Sequence, residues 1–277
     1  MSIPRRTLGR TGAVVSVLGL GGEGVLRTAG YEDEAYALIN AAIDLGVNYC
    51  ESARAYAGSE SYYGKALGER RAGVFLTSKS HARDRRGARA HLQETLKNMK
   101  TDHLDLWQVH DVRTDEDIGE IFGPGGAIEA FVEAKEKGMT RFIGVTGHHD
   151  PLVLRRCIEL FPFDTVLLPV NPGEPAYKSF LKEVIPLALE KQMGIIGMKV
   201  YFRGLAQEIP GYTSLEPFLR FALSQPVTNV VIGCDDVEQL AENVRFAESY
   251  VPMTDLEMQA LVRDVSLYAR KLMYYKQ

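Results

Sequence analysis

The chain has 277 residues and a formal net charge of −4, with 45% hydrophobic and 25% charged residues. A chain of this length forms one large domain or two small ones, and its composition is ordinary for a globular protein. The mildly acidic balance argues against a nucleic-acid-binding surface.

The cysteines and the hydropathy pattern indicate the compartment. Cys50, Cys157 and Cys234 lie far apart in apolar contexts, which is typical of reduced core residues and not of a disulfide framework. No apolar run approaches the roughly 18 residues of a membrane span. No apolar segment follows the basic N-terminus, as it would in a signal peptide. The sequence therefore predicts a soluble, cytoplasmic protein.

Short apolar stretches alternate with stretches of helical periodicity along the whole chain. A (β/α)8 barrel has this alternation at roughly 30-residue spacing, whereas a doubly wound open sheet usually needs fewer units. "RRTLGRTGAVV" predicts a hairpin before the barrel, and "TDLEMQALVRDVSLYARKL" predicts an extra C-terminal helix. No linker or repeat divides the chain, so residues 1–277 are predicted to form a single α/β domain, a TIM barrel. The eight predicted strands begin at Val14, Gly46, Val74, Leu104, Arg141, Thr165, Gly194 and Asn229.

Polar residues follow three consecutive predicted strands at their C-terminal ends, where barrels carry their chemistry. Glu51 ends the second strand, Lys79 the third and His110 the fourth, and Tyr56 lies in the loop after the second. A phenol with a pKa near 10 is a slow proton donor at neutral pH, and a nearby ammonium lowers that pKa. We expect Glu51 to hold Lys79, Lys79 to activate Tyr56 as general acid, and His110 to align a carbonyl substrate.

The segments that carry these residues resemble the signatures of the aldo-keto reductase family. They are "GVNYCESARAYAGSESYYGKAL", "VFLTSK" and "LDLWQVH", and the resemblance extends from "LGRTG" to "LAENVRFAE". It implies NAD(P)H-dependent reduction of a small carbonyl compound, or the reverse oxidation of an alcohol. Tyr56, Lys79 and His110 match the family's catalytic residues one by one. Glu51 stands where the family usually has Asp, so the charge is kept with one extra methylene.

The stretch "GLGGEG" matches the dinucleotide fingerprint GxGxxG at Gly19, Gly21 and Gly24. That fingerprint requires a helix that starts in the loop, but "VLRTAGY" intervenes before the helical pattern. The family resemblance instead places Gly21 and Gly22 in a loop that passes close to the cofactor.

The resemblance also assigns cofactor contacts on strands five to seven. Thr146 stands where the family usually has Ser to hold the carboxamide, and Asn171 keeps its type. Met198 takes the place of the aromatic residue that stacks on nicotinamide, although Met198 suits an ordinary core position equally well. Lys199 and Arg203 are expected to meet the pyrophosphate, with a solvated loop residue as the alternative for Arg203.

Strand eight departs most from the family pattern, and it leaves the choice between NADP and NAD open. The resemblance favours NADP. A carboxylate repels a 2′-phosphate but accepts a hydrogen bond from a 2′-hydroxyl. Asp235 and Asp236 therefore favour NAD, unless they only cap the last helix. The expected cofactor contacts here are Gly233, Asp235, Gln239, Glu242 and Asn243.

Adjacent histidines in "GHHD", residues 147–150, raise the question of a metal. No third ligand follows at a zinc-like spacing, and Asp150 before Pro151 is typical of a helix N-cap. We therefore predict no metal site. His148 is expected to line the substrate pocket, and Trp107 to shape it.

Two other functions fit the same pattern. A barrel with a reactive lysine serves as a Schiff-base aldolase, with Lys79 or Lys199 as nucleophile. A reductase-like barrel also serves as a nucleotide-sensing subunit with little turnover, a reading that the Glu51 substitution supports. The sequence indicates neither the physiological substrate nor the oligomeric state.

Overall fold

The computed structural model describes residues 2–276, which form a closed barrel of eight parallel strands. Every residue of several strands is buried, as expected where a barrel wall is covered on both faces. The predicted (β/α)8 fold is confirmed. The barrel strands in order are β3 (Leu18–Gly24), β4 (Tyr49–Glu51), β5 (Phe75–Ser80), β6 (Leu104–Val109), β7 (Thr140–Thr146), β8 (Thr165–Pro169), β9 (Gly194–Met198) and β10 (Asn229–Cys234).

The predicted N-terminal hairpin consists of β1 (Arg5–Thr7) and β2 (Val14–Ser16), paired antiparallel. Its Leu8 is fully buried in one cluster with Leu106 and Ile196, side chains of the barrel interior. The hairpin therefore closes the N-terminal end of the barrel, and the filled interior confines the site to the opposite end.

Helices cover the outside of the barrel, and they differ from the sequence pattern at three places. The stretch 181–194 is divided at Val184, because the Pro186 ring is incompatible with a helical carbonyl four residues earlier. A short helix before Gly123 was not predicted, and the C-terminal helix breaks at Leu267. The α-helices are α1 (Glu32–Asp44), α2 (Ser59–Ala66), α3 (Arg85–Met99), α4 (Asp115–Phe122), α5 (Ala127–Glu136), α6 (Pro151–Leu160), α7 (Phe180–Glu183), α8 (Ile185–Glu190), α9 (Glu216–Ser224), α10 (Val237–Glu248), α11 (Asp255–Ser266) and α12 (Ala269–Leu272).

Within residues 2–276, none of these helices has the length and apolarity to span a bilayer.

The segment after α12 is pinned beside the mouth of the barrel by a buried ion pair. Lys276 Nζ lies 2.6 Å from Glu174 Oε1, and both side chains are fully buried. The ammonium also donates to the carbonyls of Tyr177 and Lys178 at 3.1 and 2.8 Å. Burial raises the pKa of Glu174 to about 7, against the opposing effect of Lys276. The pair is thus held by geometry in spite of the cost of desolvating two charges.

We predict that Lys276→Met lowers the free energy of unfolding by about 3 kcal/mol at pH 9, because it leaves a buried carboxylate without its cation. The loss is smaller at pH 6, since a carboxyl whose folded pKa is raised is protonated there and becomes costly only as pH rises through that pKa. Urea unfolding at both pH values measures the difference.

The matched control is Lys271→Met, which removes an exposed ion pair with Glu208 and should change stability by less than about 1 kcal/mol. Adding Glu174→Gln to Lys276→Met should recover part of the loss. Equal effects of the two lysine variants would contradict the buried-pair account.

Candidate active site

A cavity of about 850 Å³ opens at the C-terminal ends of the barrel strands. It lies where a (β/α)8 barrel carries its functional groups and has the size of a small-molecule site. Its lining includes the following sequence-predicted residues: Gly21, Glu51, Tyr56, Lys79, His110, Thr146, His148, Met198, Lys199, Arg203, Gly233, Asp235, Gln239, Glu242 and Asn243.

A buried ion pair forms the floor of this cavity. Glu51 ends β4 and pairs in register with Thr77, so Lys79 lies two residues further along the neighbouring strand β5. The Lys79 ammonium contacts Glu51 Oε1 directly and donates to the carbonyl of Ser52 at 3.0 Å. Lys79 is 1% exposed and Glu51 5% exposed, so each needs the other as counter-charge. The extra methylene of Glu51 does not prevent the contact.

Tyr56 lies in the loop after β4, above this ion pair. Lys79 Nζ is 4.9 Å from the centroid of its ring, and the His110 ring meets it edge-on at 6.0 Å. A Cβ on Gly22 would lie 2.6 Å from Tyr56 Cδ2, so only glycine leaves room for the phenol here. The four residues predicted to act together do lie together.

The protonation equilibria differ from the sequence-based expectation. Burial raises the pKa of Tyr56 well above its usual value, with Glu23 adding to the effect. Burial also lowers the pKa of Lys79, to about 7. We expected the ammonium to lower the pKa of the phenol; in this structure desolvation dominates instead. Burial therefore favours the protonated form of the tyrosine and opposes the charged form of the lysine.

His110 is held by its backbone at the end of β6. Its N–H donates to the carbonyl of Ser80 at 2.9 Å, and its carbonyl accepts from Arg83 at 2.8 Å. Burial lowers the pKa of His110 well below the usual value, and the charge of Lys79 adds to this. A neutral imidazole donates from only one nitrogen, which suits a group that aligns a carbonyl oxygen.

Glu23 and Arg27 are cavity residues that the sequence analysis missed. The two carboxylate oxygens of Glu23 accept from Arg27 at 2.7 and 2.9 Å, and Arg203 approaches the carboxylate at 3.7 Å. Burial alone would raise the pKa of Glu23, but the two arginines hold it below the usual value. The spacing of Glu23 and Arg27, four residues apart, was the available sequence signal. Arg203 comes from a distant loop and gave none.

Met198 ends β9 and Lys199 follows it, and both line the cavity wall. Burial lowers the pKa of Lys199 to about 8, and its Nζ lies 5.0 Å from the ring centroid of Tyr275. Opposite them, Thr146 Oγ1 accepts from the backbone N–H of Asp111 at 2.8 Å, which leaves its hydroxyl proton available to a ligand.

At the end of β10 the two acidic residues have different surroundings. Asp236 accepts from the N–H of Gln239 at 2.7 Å and caps α10, as one of the two was expected to do. Asp235 is exposed and lines the cavity, and its own N–H donates to the side chain of Gln239. Asn243 is buried, with its oxygen accepting from the Tyr201 hydroxyl at 2.6 Å.

Three predicted site residues do not line the cavity. Gly22 packs under Tyr56, as described above. Trp107 is fully buried and stacks on Phe131 of α5 at 3.7 Å, because its side chain points out of the barrel wall. Asn171 is also buried, and its amide donates to the Lys199 carbonyl at 3.2 Å and to the Tyr275 hydroxyl at 3.1 Å. Tyr275, in the segment after α12, thus contacts the Asn171 amide that was expected to meet the cofactor. No local sequence pattern indicates the position of this segment.

His148 borders the cavity as expected, and it lies beside Asp111. Its Nδ1 is 3.1 Å from Asp111 Oδ1, while His149 Nε2 is 3.6 Å from the same oxygen. Asp150 accepts from the N–H of Leu152 at 2.9 Å and caps α6, with Pro151 in the first turn, as predicted. The prediction of no metal rested on the lack of a third ligand nearby in sequence; in space, Asp111 from the loop after β6 supplies one.

Comparisons with known proteins identify the family of the chain. The profile of the aldo/keto reductase family matches residues 17–209. Over 305 aligned positions the chain is 26% identical to the uncharacterized oxidoreductase YqkF of Bacillus subtilis (strain 168), covering 93% of this chain and 95% of that protein.

Two solved structures show the same fold. One is an aldo-keto reductase from Bacillus halodurans in its holo form, with a TM-score of 0.79 and 22% identity over 95% of this chain and 96% of that one. The other is an aldo-keto reductase from Klebsiella pneumoniae in complex with NADPH, with a TM-score of 0.76 and 19% identity over 96% of each chain. Since the family profile covers most of the chain, the protein belongs to the aldo/keto reductase family and is an NAD(P)-dependent oxidoreductase.

Proposed function

We propose that the protein reduces an aldehyde or ketone with a nicotinamide nucleotide, or oxidises the corresponding alcohol, with Tyr56 as the general acid or base. The observation that carries the proposal is the Lys79–Glu51 pair directly below the Tyr56 ring, with His110 beside it. A carbonyl oxygen between Tyr56 and His110 would receive hydrogen bonds from both. Steady-state oxidation of NADPH and NADH with a panel of aldehydes tests the proposal.

The residues present fit a nicotinamide nucleotide. A cavity of about 850 Å³ runs from Tyr56 and the three residues around it (Glu51, Lys79 and His110) to the start of α10. Thr146 would hold the carboxamide through its free hydroxyl proton, and Met198 would cover a ring face. Lys199 and Arg203 would hold the pyrophosphate. The nucleotide supplies or accepts the hydride when it is bound.

The chain's own residues move the proton. As the carbonyl oxygen gains negative charge, Tyr56 donates its hydroxyl proton to it. The Lys79 ammonium below the ring stabilises the phenolate left behind, and Glu51 keeps the ammonium in place. His110 stays neutral and orients the oxygen. This division of roles requires Lys79 to be charged.

NAD(H) as cofactor is supported by the exposed Asp235, since Asp236 alone caps α10. The Klebsiella pneumoniae protein of the same fold was solved with NADPH. Its identity to this chain is too low to carry that nucleotide over, so the choice rests on the residues of this chain. We propose measurable use of NAD(H).

The two alternatives make different predictions. The lowered pKa values of Lys79 and Lys199 suit a Schiff-base nucleophile, and borohydride trapping of a carbonyl compound without nucleotide would support that chemistry. A sensing role is favoured by Leu167 at the cavity wall, where family members often have Gln, and by the engaged amide of Asn171. Nucleotide binding without turnover on any aldehyde would support it.

The first prediction concerns the proton donor. Tyr56→Phe should lower kcat by about 10²- to 10⁴-fold, the usual contribution of a general acid, while the nucleotide dissociation constant stays nearly unchanged. Stopped-flow turnover and fluorescence titration measure the two quantities. Tyr62→Phe, which loses a hydroxyl bonded to the carbonyl of Thr28, is the control and should keep its kcat. Retention of most activity in Tyr56→Phe would refute the role of the phenol.

The second prediction concerns the charge on Lys79. Glu51→Gln removes the counter-charge, so the pKa of Lys79 falls further and the ammonium is lost at lower pH. The alkaline limb of the kcat profile for carbonyl reduction should move down by about one pH unit or more. Glu51→Asp keeps the charge and should keep the profile. An identical pH profile for Glu51→Gln and the parent would show that Glu51 has another role.

The third prediction concerns nucleotide choice. Asp235→Arg should shift the ratio of the NAD and NADP dissociation constants toward NADP by about tenfold or more, because a guanidinium replaces a repelling carboxylate. Glu238→Arg makes the same charge change in the first turn of α10, outside the cavity lining, and should shift the ratio much less. If both variants act equally, only the overall charge matters and Asp235 does not face the ribose.

A further inference from the structure

Asp111, His148 and His149 form a compact cluster of metal-ligand atoms. A carboxylate oxygen and one nitrogen of each imidazole all lie within 4.8 Å of one another. The two nitrogens approach the same atom, Asp111 Oδ1, at 3.1 and 3.6 Å. Despite this proximity, Oδ1 is buried and accepts no hydrogen bond from any residue in the range 2–276. The three groups therefore converge on a point and leave Asp111 Oδ1 without a hydrogen bond within that range.

These three ligands are of the types that bind a divalent transition-metal ion. Two imidazoles and one carboxylate are the protein ligands of catalytic zinc sites, which keep a further position open, and they also suit other first-row metals.

The ligands are held in place before any ion arrives. Asp111 has a left-handed backbone, with φ of 56°, and its N–H donates to Thr146 Oγ1 at 2.8 Å. Its second oxygen, Oδ2, accepts from Arg113 Nε at 2.8 Å. Partners of this kind orient a ligating carboxylate. The two histidines immediately precede the capped start of α6, so their loop is fixed as well.

Positive charges nearby oppose a cation and limit its affinity. Arg113 donates to Asp111 Oδ2 directly, and the charge of Lys199 acts on His148. Asp111 Oδ1 remains the only carboxylate oxygen among the three converging atoms.

We propose that Asp111, His148 and His149 bind one divalent transition-metal ion at the wall of the active-site cavity. Asp111 and His148 line the cavity, so the bound ion borders it and its open coordination position is accessible to small molecules. The site is separate from the proton-donating group formed by Glu51, Tyr56 and Lys79, and it does not depend on the proposed carbonyl reduction.

The test titrates the full chain with Zn²⁺ alone by isothermal calorimetry, and with Co²⁺ while recording visible d–d absorption. One ion per chain is expected, with a Co²⁺ spectrum of a nitrogen- and oxygen-ligated site. Asp111→Asn, His148→Ala and His149→Ala should each weaken binding by at least about tenfold. Far-UV circular dichroism and thermal unfolding without metal verify that each variant is folded, and a Zn²⁺-induced rise in Tm should occur in the parent but not in these three variants.

The matched control is His103→Ala. His103 Nδ1 lies 2.6 Å from Asp102 Oδ1 at the surface, a histidine–aspartate pair without a second imidazole. This variant should bind the ion as the parent does. Absence of stoichiometric binding in the parent overturns the proposal, and so does equal weakening by His103→Ala and by the folded cluster variants. Anomalous density for Zn²⁺ at Asp111, His148 and His149 in soaked crystals would support it directly.

Discussion

A lysine ammonium removed from water inside a protein requires a counter-charge, and the site of this protein is arranged around that requirement. Lys79 is almost fully buried with its Nζ against Glu51. Breaking such a pair by removing one partner typically costs several kcal/mol, whereas an apolar pair of the same shape can be equally stable. The pair is therefore better explained by the chemistry above it than by stability. In the proposed reaction, its position below the Tyr56 ring lets the ammonium stabilise the phenolate.

The neighbours of the pair are constrained in turn. Gly22 is a glycine because the phenol occupies the space of its Cβ. His110 stays neutral partly because Lys79 repels its proton. The charge of Glu23 acts to raise the pKa values of both Tyr56 and Lys79. A mutation at any of these positions changes the pKa values of the other groups in the cavity. The effects of paired variants should therefore not be additive.

The sequence predicted those features that depend on strand ends. Parallel strands of a barrel end on the same face, so Glu51, Lys79 and His110 could be placed together from spacing alone. Contacts that depend on long-range packing could not be predicted. Arg203 reaches Glu23 from a distant loop, Asp111 joins two histidines of another loop, and Tyr275 engages Asn171. The outward direction of Trp107 could not be predicted, because it depends on the register of β6. The raised pKa of Tyr56 could not be predicted either, because it depends on the burial of the phenol, and no motif shows either property.

The closure of the barrel between β10 and β3 has a consequence for how the protein reaches its active state. These strands pair Val230 with Leu18, residues from opposite ends of the chain, and pairings of such high sequence separation form slowly. The single tryptophan, Trp107, stacks on Phe131 within a local unit of β6 and α5. During refolding, its fluorescence reports on that unit, whereas the proposed nucleotide site includes Gly21 and Gly233, which line the cavity on the two closing strands. The two signals therefore report different stages of folding, and recovery of native fluorescence is no measure of the fraction of molecules able to bind nucleotide.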